Sequence, residues 1–184
     1  LCNDKKVPIN FHLASGIDGF SFPWPDYPYE TKMAIGSMML FLGCAGTLAN
    51  FLVSGLFDRY PDLRLVSVES GLGWIPFMLE ALEYQMDEMM PTEKLKLQKR
   101  PAEYFQSNVW ACYWFEETGP LHMLDKIGVN KVLFETDWPH PTSLYPGVHE
   151  QIERTLGHVD HYTRKRVLQD NAVELYNLPM PSSA

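Results

Sequence analysis

A parallel α/β fold with its chemistry at the carboxyl ends of the strands is what this sequence predicts, and three observations predict it. Short apolar runs alternate with longer segments of helical periodicity, strand then helix, four times over. The run Val132-Leu133-Phe134 has the character of a strand buried on both faces, as parallel strands are, and it ends at once in Glu135, Thr136 and Asp137. The other runs also end in residues able to do chemistry: His12, Glu69, and Glu116 or Glu117. Right-handed crossovers place the helices outside such a sheet, and function gathers where the strands end.

The elements follow in order. Val7 to Phe11 reads as a strand closed by His12, with Leu1 to Lys6 as the tail of something earlier. Leu13 to Tyr29, rich in glycine, proline and aromatic residues, is a long loop of the functional kind. Thr31 to Tyr60 is helical and is expected to break near Gly43 to Gly46. Leu63 to Val68 is the second strand, ending in Glu69 and the turn Ser70-Gly71-Leu72-Gly73. Trp74 to Met90 is an amphipathic helix whose methionines fill the core. Pro91 to Gln106 is charged and solvent-facing, Asn108 to Trp114 is the third strand, and Pro120 to Ile127 is a short helix leading through Gly128 into the fourth strand. Trp138-Pro139-His140-Pro141 then stops that strand in a stiff turn. Val148 to Leu156 and Asp160 to Tyr176 are amphipathic helices, and a Pro-Ser tail follows.

Composition narrows the function. The 184 residues are 46% hydrophobic, enough for one packed domain, and carry a formal net charge of −8. That charge argues against nucleic acid or an anionic membrane as partner, and leaves small acids as substrates if a metal supplies local positive charge. Met33 to Phe57 holds no charged residue and is long enough to span a bilayer. Its glycines, its polar residues and the lack of a flanking basic cluster favour helices buried between the sheet and a neighbouring subunit, so a homo-oligomer without a membrane is expected. Cys2, Cys44 and Cys112 are odd in number and far apart, which suits free thiols and a cytoplasmic setting. There is no GxGxxG, GKS, GxSxG or CxxC motif.

The residues at the strand ends carry the functional reading. His12 and Asp137 supply one imidazole nitrogen and one hard oxygen, a mixture suited to Zn²⁺ or Mn²⁺, although His12 could equally be a hydrogen-bonded core histidine and Asp137 a turn cap. Glu69 could be a third ligand, a general base or the partner of a buried arginine. His140 could move protons or bind a substrate carboxylate, or stack between its two prolines. His122, His149, His158 and His161 lie in or beside helices, away from the strand ends.

In combination, PINFHLASG, YPDLRLVSVESGLGWIPFMLE, VNKVLFETDWPHP and RKRVLQDNAVELYNL resemble the amidohydrolase superfamily, in particular its amidohydrolase-related branch that includes aminocarboxymuconate-semialdehyde decarboxylase. The resemblance implies a TIM-like (β/α)8 barrel of which residues 1–178 form the second half, strands five to eight with their helices, and residues 179–184 a tail. It also implies one divalent metal, Zn or Mn, held by His12 from strand five and Asp137 from strand eight, with Asp137 taking the proton in a hydrolytic reaction; Glu69 and His140 join Asp137 as catalytic candidates from their place at the strand ends. The implied activity is hydrolysis or non-oxidative decarboxylation of a small aromatic or cyclic acid. The strand-one His-x-His or Glu-x-His pair of that superfamily has no counterpart here, and Glu69 stands where many relatives place a histidine. The rival expectation is an inactive half barrel with two unpaired strand edges and an uncovered apolar face, acting as an assembly or binding module.

Overall fold

The computed structural model describes residues 1–13, 26–89 and 97–179. Four parallel strands, β1 (Ile9–His12), β2 (Leu65–Val68), β3 (Val109–Tyr113) and β4 (Val132–Phe134), lie side by side in chain order. The strands are short because each apolar run is short. Before them comes α1 (Cys2–Lys5), between them come α2 (Tyr29–Val53), α3 (Leu56–Arg59), α4 (Ile75–Met89), α5 (Pro101–Asn108), α6 (Thr118–His122) and α7 (Leu124–Ile127), and after β4 come α8 (Val148–Leu156), α9 (His161–Lys165) and α10 (Asn171–Tyr176).

Alternation along each strand decides what faces where. Phe11, Leu65, Val109, Ala111, Tyr113 and Val132 join one large core with Cys44, Leu48 and Leu52 of α2 and with Ile75, Phe105, Ile127 and Leu156 of later helices. The opposite face carries Val66, Cys112 and Leu133, flanked by Val68 and Trp110. Sequence reasoning left that second face uncovered. It is covered: Leu175 and Ala172 of α10 pack on it, so Val66, Cys112 and Leu133 are 0%, 6% and 4% exposed. The last helical stretch reaches this face by wrapping round β4, where the Asn171 amide donates to the carbonyls of Val129 and Val132 at 2.7 and 2.8 Å. A π-helical turn over Arg166–Asp170 interrupts what the sequence reads as one continuous helix. At the other edge, Val7 and Ile9 remain exposed.

Two further expectations are corrected. The helix predicted to break near Gly43 to Gly46 runs unbroken from Tyr29 to Val53, and the break falls at Gly55, whose φ of +69° suits glycine. Cys44 and Leu48 bury completely against the sheet, and this packing outweighs the weak helix propensity of the glycines around them. This is the one helix among the described residues long and apolar enough to cross a membrane. The stretch expected to be solvent-facing up to Gln106 instead contains α5, whose Tyr104 and Phe105 are buried. A proline at its first turn and the Glu103 carboxylate accepting from Arg100 N at 2.8 Å start this helix. The glycine-rich loop predicted before Tyr29 lies mostly outside the described residues.

Candidate active site

The residues at the carboxyl ends of the strands build the site. His12 closes β1, and Glu69 follows β2 directly. Nε2 of His12 lies 2.9 Å from Oε1 of Glu69, and its Nδ1 lies 3.1 Å from the Leu13 carbonyl oxygen. A carbonyl only accepts, so the Leu13 contact calls for a hydrogen on Nδ1, and the Glu69 contact favours one on Nε2. Burial, the largest single influence, pulls the His12 pKa down. The Leu13 carbonyl and the Glu69 carboxylate together outweigh it and hold the pKa above the ordinary histidine value.

Beside this pair sits Glu135, to which the sequence reading gave no role. It stands two residues after Leu133, so alternation turns it onto the face of Val66, Cys112 and Leu133, the inner face of the sheet. Its Oε1 accepts from the Glu69 backbone N–H at 3.0 Å. Burial first, then the neighbouring Glu69 and Asp137 charges, push the Glu135 carboxyl up to about 7, against the Glu69 N–H and the Cys112 thiol, which favour its ionised form. Cys112 in turn is raised well above the ordinary thiol value, chiefly by burial and then by Glu135. The signal that could have found Glu135 is its even spacing from Leu133.

Asp137 lies three residues beyond β4, its side chain only 7% exposed. Thr142 Oγ1 donates to its Oδ2 at 3.2 Å, and Nδ1 of the exposed His140 lies 3.1 Å from the same oxygen and 2.8 Å from Thr142 Oγ1. The His140 N–H donates to the Asp137 carbonyl at 2.8 Å, closing the turn that the prolines stiffen. Glu69 and Asp137 share a backbone feature that sequence alone did not show. Both hold positive φ, 52° and 58°, among only four non-glycine residues that do so in the described chain. Such conformations cost about 1–3 kcal/mol each and persist where surrounding structure holds them, commonly at functional sites.

The third strand's end is structural. The Glu116 carboxylate accepts from the backbone N–H of Leu72 and, at 2.9 Å, of Gly73, and also from Gly119. A side chain at Gly71, whose φ is +74°, would collide with it. Glu117 pairs with Arg154 at 3.0 Å on the surface. Of the four histidines set aside, His122 and His158 line a cavity of about 410 Å³ on the helical shell, away from the strand ends.

The arrangement thus joins His12 to Glu69, Glu69 to Glu135, and Asp137 to His140, and among the described residues no contact links His12 to Asp137. Strands β1 and β4 are three inter-strand steps apart, on the order of 14 Å measured along the sheet. In type, an imidazole nitrogen and carboxylate oxygens fit a divalent ion. In number they fall short: among the described residues no three His, Cys, Asp or Glu side chains form a set able to hold one.

Comparison with known proteins supplies the family. The model of the family described as Amidohydrolase matches residues 1–178. The chain belongs to the amidohydrolase family. Among curated relatives of this amidohydrolase, the gamma-resorcylate decarboxylase of Polaromonas sp. strain JS666 is 26% identical over 127 residues, 68% of this chain and 37% of that protein. Among solved structures, the 5-carboxyvanillate decarboxylase LigW of Sphingomonas paucimobilis superposes with a TM-score of 0.77 at 20% identity, covering 96% of this chain and 51% of that one. A dihydroxybenzoic acid decarboxylase from Polaromonas sp. JS666, solved with bound manganese and the inhibitor 2-nitroresorcinol, gives a TM-score of 0.69 at 22% identity, covering 96% and 52%. The chain spans roughly a third of the curated relative and half of the solved ones, and its four parallel strands fit half of a TIM barrel.

Proposed function

We propose that this chain contributes the His12, Glu69, Glu135 and Asp137 side of the active site in a metal-dependent, non-oxidative decarboxylase of small aromatic acids. Residues 1–178 are read as the carboxyl-terminal half of its barrel. The observation that carries the reading is the pair of strand-end carboxylates, Glu69 and Asp137, both turned by left-handed backbone at the ends of parallel strands where barrel enzymes do their chemistry. The curated relatives that are gamma-resorcylate decarboxylases, and the manganese in a solved decarboxylase of the same fold, support decarboxylation over hydrolysis and manganese over zinc.

His12 and Asp137, at the ends of the two edge strands, are the ligands this chain would offer a divalent ion if a closed barrel brings those edges round one mouth. Such an ion would supply positive charge to hold the acid's carboxylate or an adjacent oxygen. For Nε2 of His12 to bind it, the proton shared with Glu69 must leave. Glu135, protonated below about pH 7, is the inner-face group able to give a proton at neutral pH. Thr142 and His140 hold Oδ2 of Asp137 and so orient the carboxylate. Three free thiols support a cytoplasmic setting. The exposed Met38, Met39 and Leu42 of α2 support self-association, the feature that keeps an assembly role as the second reading.

The test is release of CO₂ from hydroxybenzoic acids by the gene product loaded with manganese. Turnover is expected, and loss of about a hundredfold or more in Asp137→Ala; unchanged turnover in that variant overturns the site assignment.

A further inference from the structure

The outer side of the helical layer carries an apolar surface that the described residues leave open. α2 buries Cys44, Leu48 and Leu52 in the core. Met38, Leu42 and Gly46 fall two positions out of step with that set, so at about 100° per residue they form one exposed stripe on the far side of the helix, with Met39 beside it. Next to the stripe lies a groove of about 420 Å³ between α2 and α4, lined by Leu42 and Ala45 on one side and by Trp74, Met78 and Leu82 on the other. Phe77 also lines it and is 75% exposed. Among the described residues no charged side chain lines this groove.

Gly46 indicates what kind of surface belongs here. Glycine weakens a helix interior, yet α2 runs through Gly46 without a break. A side chain there would meet no atom within 4 Å among the described residues, so no contact among them calls for glycine. What a bare backbone in mid-helix allows is the close approach of another surface.

A second copy of the chain fits that surface. Met33 to Phe57 carries no charge, so two such faces meet without the repulsion that a net charge of −8 sets up elsewhere between copies. At about 1.5 Å per residue and a width of about 10 Å, the 25 residues of α2 and the 15 of α4 offer roughly 600 Å². Two copies would cover roughly 1,200 Å² in total, which reaches the lower bound of a stable specific interface. A bilayer fits less well, because α2 would have to pull Cys44, Leu48 and Leu52 out of the core to cross it. The rest of a barrel would join at the β1 and β4 edges, not on the outside of the helices.

We propose that the face of α2 and α4 is the interface of a homodimer, paired about a two-fold axis, with the two helical layers closest at Gly46 and Phe77 of each copy set against the groove of the other. This rests on the self-association reading and names its surface; it is independent of the decarboxylase reading.

The experiment is sedimentation velocity on the full chain over about a hundredfold range of micromolar concentration. A dimer in exchange with monomer is expected, and Gly46→Leu and Phe77→Asp are each expected to weaken it about tenfold or more. Gly46→Leu separates this from misfolding: leucine is the better helix former, so at dilutions where the parent is monomeric the variant should melt at or above the parent. Tyr162→Asp, at an exposed position on α9, should leave the dimer unchanged. A parent that stays monomeric throughout overturns the proposal and the self-association reading together. A dimer that survives both Gly46→Leu and Phe77→Asp overturns this surface alone and leaves self-association standing through another. A chain that stays monomeric and floats with phosphatidylcholine vesicles overturns the proposal in favour of a lipid surface.

Discussion

The two ends of the sheet's inner face carry opposite charge and solve the same problem in opposite ways. At the carboxyl end Glu69, Glu135 and Asp137 crowd together, and Glu135 is driven up to about 7; at the amino end Arg64, Lys131 and Arg166 crowd together, and Lys131 is driven down to about 8. Burial leads in both shifts, and a like charge nearby adds to it. Stability alone does not favour gathering desolvated like charges, since replacing such groups by apolar ones of the same size is often neutral or stabilising. The difference in sign sets the two ends apart: acidic groups gather where the strands finish and basic groups where they start. Between them lies a band of apolar contacts, Val66, Cys112, Leu133 and Leu175, that keeps water out of the sheet.

Breaking that band should have the largest effect. Leu175→Ala removes the side chain that α10 sets on Val66, Cys112 and Leu133 and is expected to cost about 2–5 kcal/mol, read as a lower denaturant midpoint. A loss under about 1 kcal/mol would mean that α10 does not hold the inner face closed.

The carboxyl end comes next. Folded Glu135 keeps its proton up to about pH 7 against an ordinary value of 4.5. Its contribution to stability is therefore complete below about pH 4.5 and is lost as the pH climbs to about 7, a change of up to about 3 kcal/mol. Glu135→Gln should flatten melting temperature against pH across that window, and a slope identical to the parent's would remove Glu135 from the account.

The amino end mirrors it. Lys131, lowered from 10.5 to about 8, contributes stability that is present above about pH 10.5 and is lost as the pH falls through about 8. Lys131→Met should level the melting curve in this alkaline window and leave the acid window alone, which separates the two ends in one pair of titrations. The smallest effect belongs to the surface. Arg154→Ala breaks an exposed pair with Glu117 and should change stability by less than about 1 kcal/mol, a baseline for the other variants.

Much of this was legible in the residues. Strand character in Leu65–Val68 and Val132–Phe134, and a polar residue at each strand's end, follow from apolar runs that stop at His12, Glu69 and Glu135. The quoted blocks around those residues carry the family likeness that the match over residues 1–178 shows. What was not legible depends on contacts far apart in sequence. Tyr176 donates to Asn10 at 2.6 Å across 166 positions, and no local pattern announces that α10 folds over the inner face. The left-handed backbone of Glu69 and Asp137 was equally hidden, because glutamate in particular gives no sign of it. Glu135 is legible in the sequence, because the two-residue period from Leu133 places it inward. The charged character of the stretch before Gln106 likewise masked Tyr104 and Phe105, whose burial makes that segment part of the core.

The most direct test of the carboxyl end as an active site is the rate of CO₂ release from 2,6-dihydroxybenzoate by the manganese-loaded gene product, compared with its His12→Ala variant at matched protein and metal. The account predicts turnover in the parent and a loss of about a hundredfold or more in the variant, with the fold intact by circular dichroism. A folded His12→Ala protein that turns over at the parental rate would contradict it.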